Sequence, residues 1–192
     1  VVFLVDHHRH ALGLVDGHFA VSLVPLVALD DPPGDREVAV ERRVAILAAS
    51  VVEHVATGRR SLPHDMLFAM NRMAEAIGEA VLEAGGEVVE FTGEGVLAVF
   101  ATEDGPGAGA ARALDRRIAL LAAGLARECG VEPLVHVGVH SGVVVQGEIA
   151  FLGRRSHAVV GRAVDAARLL PEAARSAGRR FAISASALDE AG

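Results

Sequence analysis

Two apolar runs on either side of residue 94 alternate hydrophobic and polar positions in the manner of β-strands. The segment reads Glu87-Val-Val-Glu-Phe-Thr-Gly-Glu-Gly-Val-Leu-Ala-Val-Phe100, and a Gly-Glu-Gly turn joins its halves. This pattern predicts a β-hairpin. Gly93 and Gly95 can adopt the positive φ values of a tight turn, and without a Cβ they let a ligand approach the backbone around Glu94. Glu94 is therefore a candidate metal ligand, the alternative being a solvated acid in an ordinary turn.

Three segments carry the 3.6-residue repeat of amphipathic helices. They cover residues 64–84, a stretch after the Gly/Pro-rich turn at 104–109, and residues 162–176. The predicted core face of the first helix consists of Leu67, Met70, Ala74, Ile77 and Val81, and that of the second helix of Leu114, Ile118, Leu121 and Leu125.

Short apolar segments predict the remaining strands. They lie at residues 43–50, 134–140, 143–146 and 180–184, and an extended arm is predicted over residues 149–160. The resulting order is β-α-β-β-α-β-β-α-β, and several neighbouring strands are joined too tightly for helical crossovers. The sequence therefore predicts an α/β (α+β) fold, with an antiparallel or mixed sheet of ferredoxin-like type covered by helices.

The first 42 residues have a different pattern. Apolar runs at 1–5, 11–15 and 18–29, with an Asp16-Gly17 turn, predict an extra N-terminal β-hairpin segment, and the Pro/Gly-rich residues 30–35 indicate a boundary. We expect a β-rich extension and linker over residues 1–42 and one domain over 43–192. His7, His8 and His10 could form a metal cluster, but without a spaced partner motif a solvated turn is favoured.

Composition excludes several classes of function. The chain has 192 residues, 52% of them hydrophobic, and a net charge of −7 with no Trp or Tyr, which argues against a nucleic-acid partner. All 18 basic residues are Arg, so lysine-dependent P-loop, Schiff-base and Ser-x-x-Lys chemistries are excluded. With Cys129 as its single cysteine the chain can form no internal disulfide, as expected of a protein in the reducing cytoplasm. No apolar run reaches the length of a membrane span.

Several motifs, in order, carry a resemblance to a known family. They are Ala69-Met-Asn-Arg-Met73, Gly85-Gly86, the hairpin motif Phe91-x-Gly-Glu-Gly-Val-Leu-Ala-Val-Phe100, Gly138-Val-His-Ser-Gly142, Gly147-Glu-Ile149 and Val159-Val-Gly161. Over about residues 43–185 the chain resembles the catalytic domain of class III nucleotidyl cyclases, the adenylyl and guanylyl cyclases.

The resemblance implies a dimer with active sites between two chains, which converts a nucleoside triphosphate to a 3′,5′-cyclic monophosphate and pyrophosphate. Two aspartates of one chain would hold two divalent ions, Mg²⁺ or Mn²⁺. The partner chain would supply a Lys and a polar residue that read the base, and an Asn and an Arg that position the ribose and stabilise the transition state.

Carried over to this chain, the metal and base-reading positions depart from the family pattern. The first metal aspartate falls on Ser50, a neutral hydroxyl, and the second falls on Glu94, between Gly93 and Gly95. The base-reading lysine falls on Glu90, with reversed charge, and its polar partner falls on Ser156.

The Asn and Arg of the last helix are also altered. The sequence Asp165-Ala-Ala-Arg168 is one residue shorter than the family spacing. Anchoring on Arg168 puts Val164 at the Asn position, whereas anchoring on Gly161 puts Asp165 there and Leu169 at the Arg position.

One alternative places the first metal aspartate at Asp6, since residues 2–6 resemble the family's first strand. It would require some forty extra residues before the helix, so Ser50 is favoured.

Two hypotheses about the function of the chain remain. The first is a degenerate cyclase homology domain, paired with itself or with a related chain as a regulatory module, which needs no metal and could still bind a nucleoside triphosphate through Arg168 and the glycine turns. The second is an active cyclase with a non-standard metal site, in which Glu90 and Ser156 select a base other than adenine. We favour the first, because losing a bridging ligand costs orders of magnitude in rate.

Overall fold

The computed structural model describes residues 3–5, 39–55, 63–92, 95–101, 108–128, 130–151 and 154–189. Its helices are α1 (Pro63–Glu83), α2 (Ala108–Glu128), α3 (Arg162–Ser176) and α4 (Ala185–Asp189). Its strands are β1 (Phe3–Val5), β2 (Val40–Val55), β3 (Glu87–Thr92), β4 (Gly95–Ala101), β5 (Val131–Phe151), β6 (Arg154–Val160) and β7 (Phe181–Ser184).

The strands form one mixed sheet with the order β1-β7-β5-β2-β4-β3, and β6 pairs with β5. Its centre is the long antiparallel ladder between β2 and β5, which runs from Val40 opposite Gln146 to Val55 opposite Val131. Strand β7 pairs with β5 in parallel, and β1 pairs with β7 in parallel. The predicted helix-covered mixed sheet is confirmed.

Alternate residues of β2 face two separate hydrophobic layers. Ala45, Leu47 and Ala49 pack in a cluster with α1 and α2, whereas Val44 and Ile46 pack in a cluster with α3. Successive side chains of a strand point to opposite faces, so a strand covered on both faces is apolar at every position. This explains why the sequence of β2 shows a continuous apolar run.

Helix α3 lies unusually close to β5, because two glycines of the strand face it. A Cβ on Gly138 would lie 2.3 Å from Leu170 Cβ, and one on Gly142 would lie 2.6 Å from Ala163 Cβ. Such separations are far inside van der Waals contact, so side chains at these positions would push the helix away. The Gly-Val-His-Ser-Gly motif therefore serves to seat α3 on the sheet.

The prediction of two strands at 134–140 and 143–146 is wrong. Strand β5 continues through residues 141 and 142, because the ladder with β2 pairs Ala45 with Ser141 and Val44 with Gly142 without interruption. The predicted arm consists of the end of β5 and the strand β6, which pair from Val145 opposite Val160 to Phe151 opposite Arg154.

The predicted face of α1 is partly wrong. Ile77 and Val81 are buried as expected, but Leu67 is exposed, and the buried face also contains Met73 and the small residues Ala69 and Ala80. The fully buried members of this face are Ala69, Met73, Ile77, Ala80 and Val81. Small side chains bring the helix axis closer to the sheet than leucines would, which the hydrophobic repeat alone does not reveal. The face predicted for α2 is largely right, since Leu114, Ile118 and Leu125 are buried.

The ends of the chain add two elements. Residues Phe3–Val5 form a strand on the β7 edge of the same sheet, while the hairpin predicted over residues 11–29, the histidines at 7–10 and Cys129 lie outside the described residues. Helix α4 (Ala185–Asp189) follows β7 directly and was not predicted.

Candidate functional site

A cleft of about 180 Å³ opens where the end of β2 meets the β3–β4 hairpin and α3. Its polar lining comes from Ser50, Glu90, Thr92 and Arg168, and Gly95, Pro171 and part of β2 complete the walls. Three side chains that the sequence assigned to metal, base and transition-state positions therefore line one cleft of a single chain.

The β3–β4 hairpin forms as predicted, and its strands place Gly95, the residue after the turn, beside Ser50. The two strands pair from Glu87 opposite Val99 to Thr92 opposite Gly95, with a bulge at Val89. Ser50 is in turn opposite Gly95 on the β2–β4 ladder. Gly93 and Glu94, which connect the strands, lie outside the described residues. The backbone register thus brings position 50 next to the start of the turn that contains position 94.

Gly95 is required for a different reason from the one predicted. Its φ is not positive; instead, a Cβ there would lie 1.9 Å from the backbone oxygen of Ala49. The close approach of β4 to β2 excludes every side chain at this position. Thr92 stabilises the turn, since the Gly95 amide donates to Thr92 Oγ1 at 3.1 Å.

An ion pair between Glu90 and Arg168 crosses the cleft. Both guanidinium Nη atoms contact the carboxylate, Nη1 to Oε1 at 3.4 Å and Nη2 to Oε2 more closely. The Glu90 side chain is only 15% exposed, whereas that of Arg168 is 47% exposed. A carboxylate removed from water needs such a partner, so the pair has a structural reason to form.

The other predicted site residues lie elsewhere. Ser156 is on β6, opposite Ile149, and its hydroxyl donates to the His157 carbonyl at 3.4 Å. Asp165 is exposed in the first turn of α3. Of the two helix registers, the one anchored on Arg168 places an arginine in the cleft, whereas the other places Leu169 at the Arg position, and Leu169 is exposed.

The proposed relocation of the first metal position to Asp6 does not suit the topology. Strand β1, which ends at Val5, pairs with β7 at the far edge of the sheet. Strand β2, which carries Ser50, pairs with β4.

The described donors of the cleft do not fit a two-ion site. They are the Ser50 and Thr92 hydroxyls and a Glu90 carboxylate that is paired with Arg168. Across the described residues no group of three or more His, Cys, Asp and Glu side chains is placed to hold a metal ion. Hard dications prefer several anionic oxygens, which this set does not supply.

Perturbed side-chain pKa values occur at exposed ion pairs away from the cleft. A hydrogen bond from Arg175 lowers the pKa of Glu172 on α3, and hydrogen bonding to Glu83 raises the pKa of Arg117, which joins α2 to α1. The Glu172 contribution to stability is present above the ordinary pKa of the carboxyl and is lost as the pH falls below it. Exposed pairs of this kind contribute little.

Sequence reasoning missed Thr92, Pro171 and the pairing of Glu90 with Arg168. The reversed charge at position 90 was a usable signal, because a buried acid requires a cation and Arg168 was already a candidate. A second missed feature is the buried His140, whose Nδ1 lies 2.9 Å from Ser184 Oγ beneath α3.

None of the described helices combines the length and apolar character needed to cross a membrane.

Comparisons with known proteins identify the fold. No protein-family model and no curated protein sequence matches the chain. The structure is similar to the crystal structure of the guanylyl cyclase Cya2, with a TM-score of 0.66, 18% identity and 80% of each chain covered. It is also similar to a bacterial light-regulated adenylyl cyclase, with a TM-score of 0.67 and 20% identity over 80% of this chain and 46% of that one.

A third similar structure is the guanylate cyclase domain of RhGC from Catenaria anguillulae in complex with GTP, with a TM-score of 0.53 and 19% identity over 70% of this chain and 75% of that one. Identities this low show a shared fold. The motif order in the sequence and the topology of the sheet agree with it, and the chain has the fold of class III adenylyl and guanylyl cyclase catalytic domains.

Proposed function

We propose that this chain is a class III nucleotidyl cyclase homology domain that has lost cyclase activity and acts as a dimerising regulatory module. The observation that carries the proposal is the ion pair between Glu90 and Arg168 in the cleft beside Ser50. It places opposite charges together at two positions where the family resemblance calls for a base-reading cation and a transition-state cation.

The ion pair removes the electrostatic contribution that the arginine would make. A transition-state arginine stabilises developing negative charge with donors that are free to turn toward the substrate. Here both Nη atoms of Arg168 face the Glu90 carboxylate, which also neutralises the charge. A phosphate would have to displace that carboxylate, and its own negative charge would be repelled by Glu90.

The metal half of the site is weakened independently. Ser50 offers a neutral hydroxyl opposite Gly95, where the family has an aspartate that bridges two ions. Losing an anionic ligand removes positive charge from the reacting phosphate, and metal stabilisation of this kind is worth several kcal/mol. Both halves of a shared site are thus impaired, so two identical chains would not complement each other.

Assembly through the arm is supported by its apolar surface. Ile149 on β5 and Val160 on β6 are 60% and 55% exposed, and their register places both on one face with Val143, which is also exposed. Val159, on the other face of β6, is buried against α3. An exposed apolar face on an extended arm fits a second copy of this chain or a related cyclase domain.

The test is incubation of the purified protein with Mn²⁺ and each of ATP, GTP, CTP and UTP, followed by mass detection of cyclic products. We expect none above the level of the Arg168→Ala variant, which serves as a control for contaminating enzymes. A cyclic nucleotide that accumulates in proportion to wild-type protein and is absent with Arg168→Ala would overturn the proposal in favour of an active cyclase. Nucleotide binding without turnover is compatible with it.

A further inference from the structure

The outer surface of the α1–α2 pair carries a groove of about 420 Å³. Its lining includes the half-buried Ala76 of α1 and Leu121 and Gly124 of α2, and a Cβ added to Gly124 would meet nothing within 4 Å. Helices α1 and α2 cover the face of the sheet opposite to α3. The groove therefore lies across the sheet from the cleft at Ser50, which α3 helps to form.

Three large apolar side chains lie exposed along this surface. Leu120, which lines the groove, is 78% exposed, and Phe68 and Leu82 of α1 are 48% and 66% exposed. Phe68 and Leu82 are each seven residues from Glu75, another residue of the groove, so all three side chains lie on one face of α1. Single exposed apolar residues are common, but a row of three on one helix pair indicates an interaction surface.

The two helices carry opposite charge. Helix α1 contains four acids and one arginine, whereas α2 contains four arginines and two acids. Within the chain Arg117 of α2 joins them, since its guanidinium contacts Glu79 at 2.8 Å and also contacts Glu83. One guanidinium is thus shared by two carboxylates of α1, and the acidic helix keeps its excess of negative charge beside a basic helix.

This charge pattern matches a second copy of the same face. A two-fold axis parallel to the helices lays α1 of one copy over α2 of the other, so acids meet arginines in both halves of the contact. An axis across the helices would lay like charge on like charge, which is unfavourable. In the first arrangement Leu120 meets α1 of the other copy between Phe68 and Leu82, because the groove that Leu120 lines lies between these two residues.

We propose that the outer face of α1 and α2 is a second, self-complementary interface between copies of this chain. Phe68 and Leu82 are about 21 Å apart along α1, and two helices of about 10 Å diameter give a face of roughly 400 Å² per copy. A standard interface buries about 800 Å² per partner, so the contact is weak and forms at hundreds of micromolar. It uses none of the residues of the arm and does not depend on whether the chain is a cyclase.

The test is sedimentation equilibrium of the Ile149→Asp variant, in which the arm contact is blocked, from tens to several hundred micromolar. We expect monomers at the low end of this range and dimers at the high end. Adding Leu120→Asp should weaken the association at least tenfold, because it places a carboxylate in an apolar contact. Adding Arg116→Glu instead should weaken it severalfold, since an acid would then face the acidic α1, and added salt should weaken it as well.

Leu169→Asp, added to Ile149→Asp, is the matched control, because Leu169 is 68% exposed on α3, across the sheet, and this variant should associate as its parent does. A monomer at every concentration would overturn the proposal, as would equal association with and without Leu120→Asp. Association that strengthens with salt would overturn it too, because acids would then not face arginines. A wild-type monomer at tens of micromolar would contradict the arm contact alone and leaves this test unchanged.

Discussion

Glu90 and Arg168 depend on each other for neutralisation of charge in the cleft. The carboxylate is largely removed from water, while the guanidinium is half exposed. Removing the arginine side chain therefore leaves a desolvated carboxylate without a partner, whereas removing the glutamate side chain leaves a guanidinium that water can still solvate. The two residues should respond unequally to substitution.

We expect Arg168→Ala to lower the free energy of unfolding by about 1–2 kcal/mol, and Glu90→Ala to lower it by less. Urea unfolding of the two single variants and the double variant measures the coupling. An interaction energy of at least about 0.5 kcal/mol indicates that the pair forms in solution. Additive effects would show that the two side chains do not meet.

Some of the residue-level chemistry could be predicted from the sequence, and some could not. The departures at Ser50 and Glu90 were visible in the motifs, because each replaces a charge that the chemistry needs. The partner of Glu90 was not visible, since it lies 78 positions away along the chain and the fold alone brings it close. The sequence suggested that Gly95 is needed for its backbone freedom. The structure shows that the position is restricted by space instead, because a Cβ there would lie 1.9 Å from the backbone oxygen of Ala49.

Among the elements, helix boundaries were easier to predict than helix faces or strand breaks. The bounds of α3 agree with the prediction, because Gly161 precedes its first residue and Gly178, with a φ of 64°, ends the repeat just after Ser176. In α1 the predicted face was partly wrong: it included Leu67, which is exposed, and it missed the buried Ala69 and Ala80, whose hydrophobic signal is weak. In β5 the Ser-Gly step resembled a turn, but uninterrupted pairing of Ser141 and Gly142 with β2 keeps it extended.

The close packing of α3 against β5 can be tested by a substitution in the strand. Gly138→Ala would place a Cβ 2.3 Å from Leu170 Cβ and close to Pro171, so the helix would have to move outward. We expect a loss of about 1–3 kcal/mol in unfolding free energy. The matched control is Gly124→Ala in α2, where the space around the new Cβ is open and the loss of a helical glycine should stabilise by about 0.5–1 kcal/mol.

Urea unfolding midpoints of these two variants should move in opposite directions. If Gly138→Ala were neutral or stabilising, α3 would not lie as close to the sheet as the structure shows, and the position of Arg168 in the cleft would need revision.

For the whole molecule, the proposed assembly depends on the exposed apolar face of the arm. Ile149 presents its side chain on the exposed face of β5, and placing a carboxylate there should prevent an apolar interface from forming while leaving the core intact. We expect sedimentation velocity at tens of micromolar to show a dimer for the wild type and a monomer for Ile149→Asp. Leu120→Asp is the control, because Leu120 is 78% exposed on α2, away from the arm, and the variant should remain dimeric.

A wild-type monomer would contradict the proposed assembly. A dimer of Ile149→Asp would leave dimerisation in place but would exclude this face of the arm as the interface.

The proposed loss of activity can be tested by rebuilding the site. If the scaffold is intact and the defect lies in side chains, Ser50→Asp together with Glu94→Asp should create two adjacent carboxylates, because position 50 is opposite Gly95 at the start of the turn. Wild-type protein should show no Mg²⁺ binding by calorimetry without nucleotide, whereas the double variant should bind Mn²⁺ with a nucleoside triphosphate.

Turnover should still be absent in the double variant, since Arg168 remains paired with Glu90. Glu90→Lys alone would set two cations side by side in the cleft, so Arg168 must also move. One residue inserted before Arg168, with Asp165→Asn, restores the family spacing and turns the helix position by about 100°. Only the combination of all these changes should form cyclic nucleotide, detected by mass. If the two metal-site changes alone gave robust cyclisation, the ion pair would be no barrier, and the interpretation of α3 would be wrong.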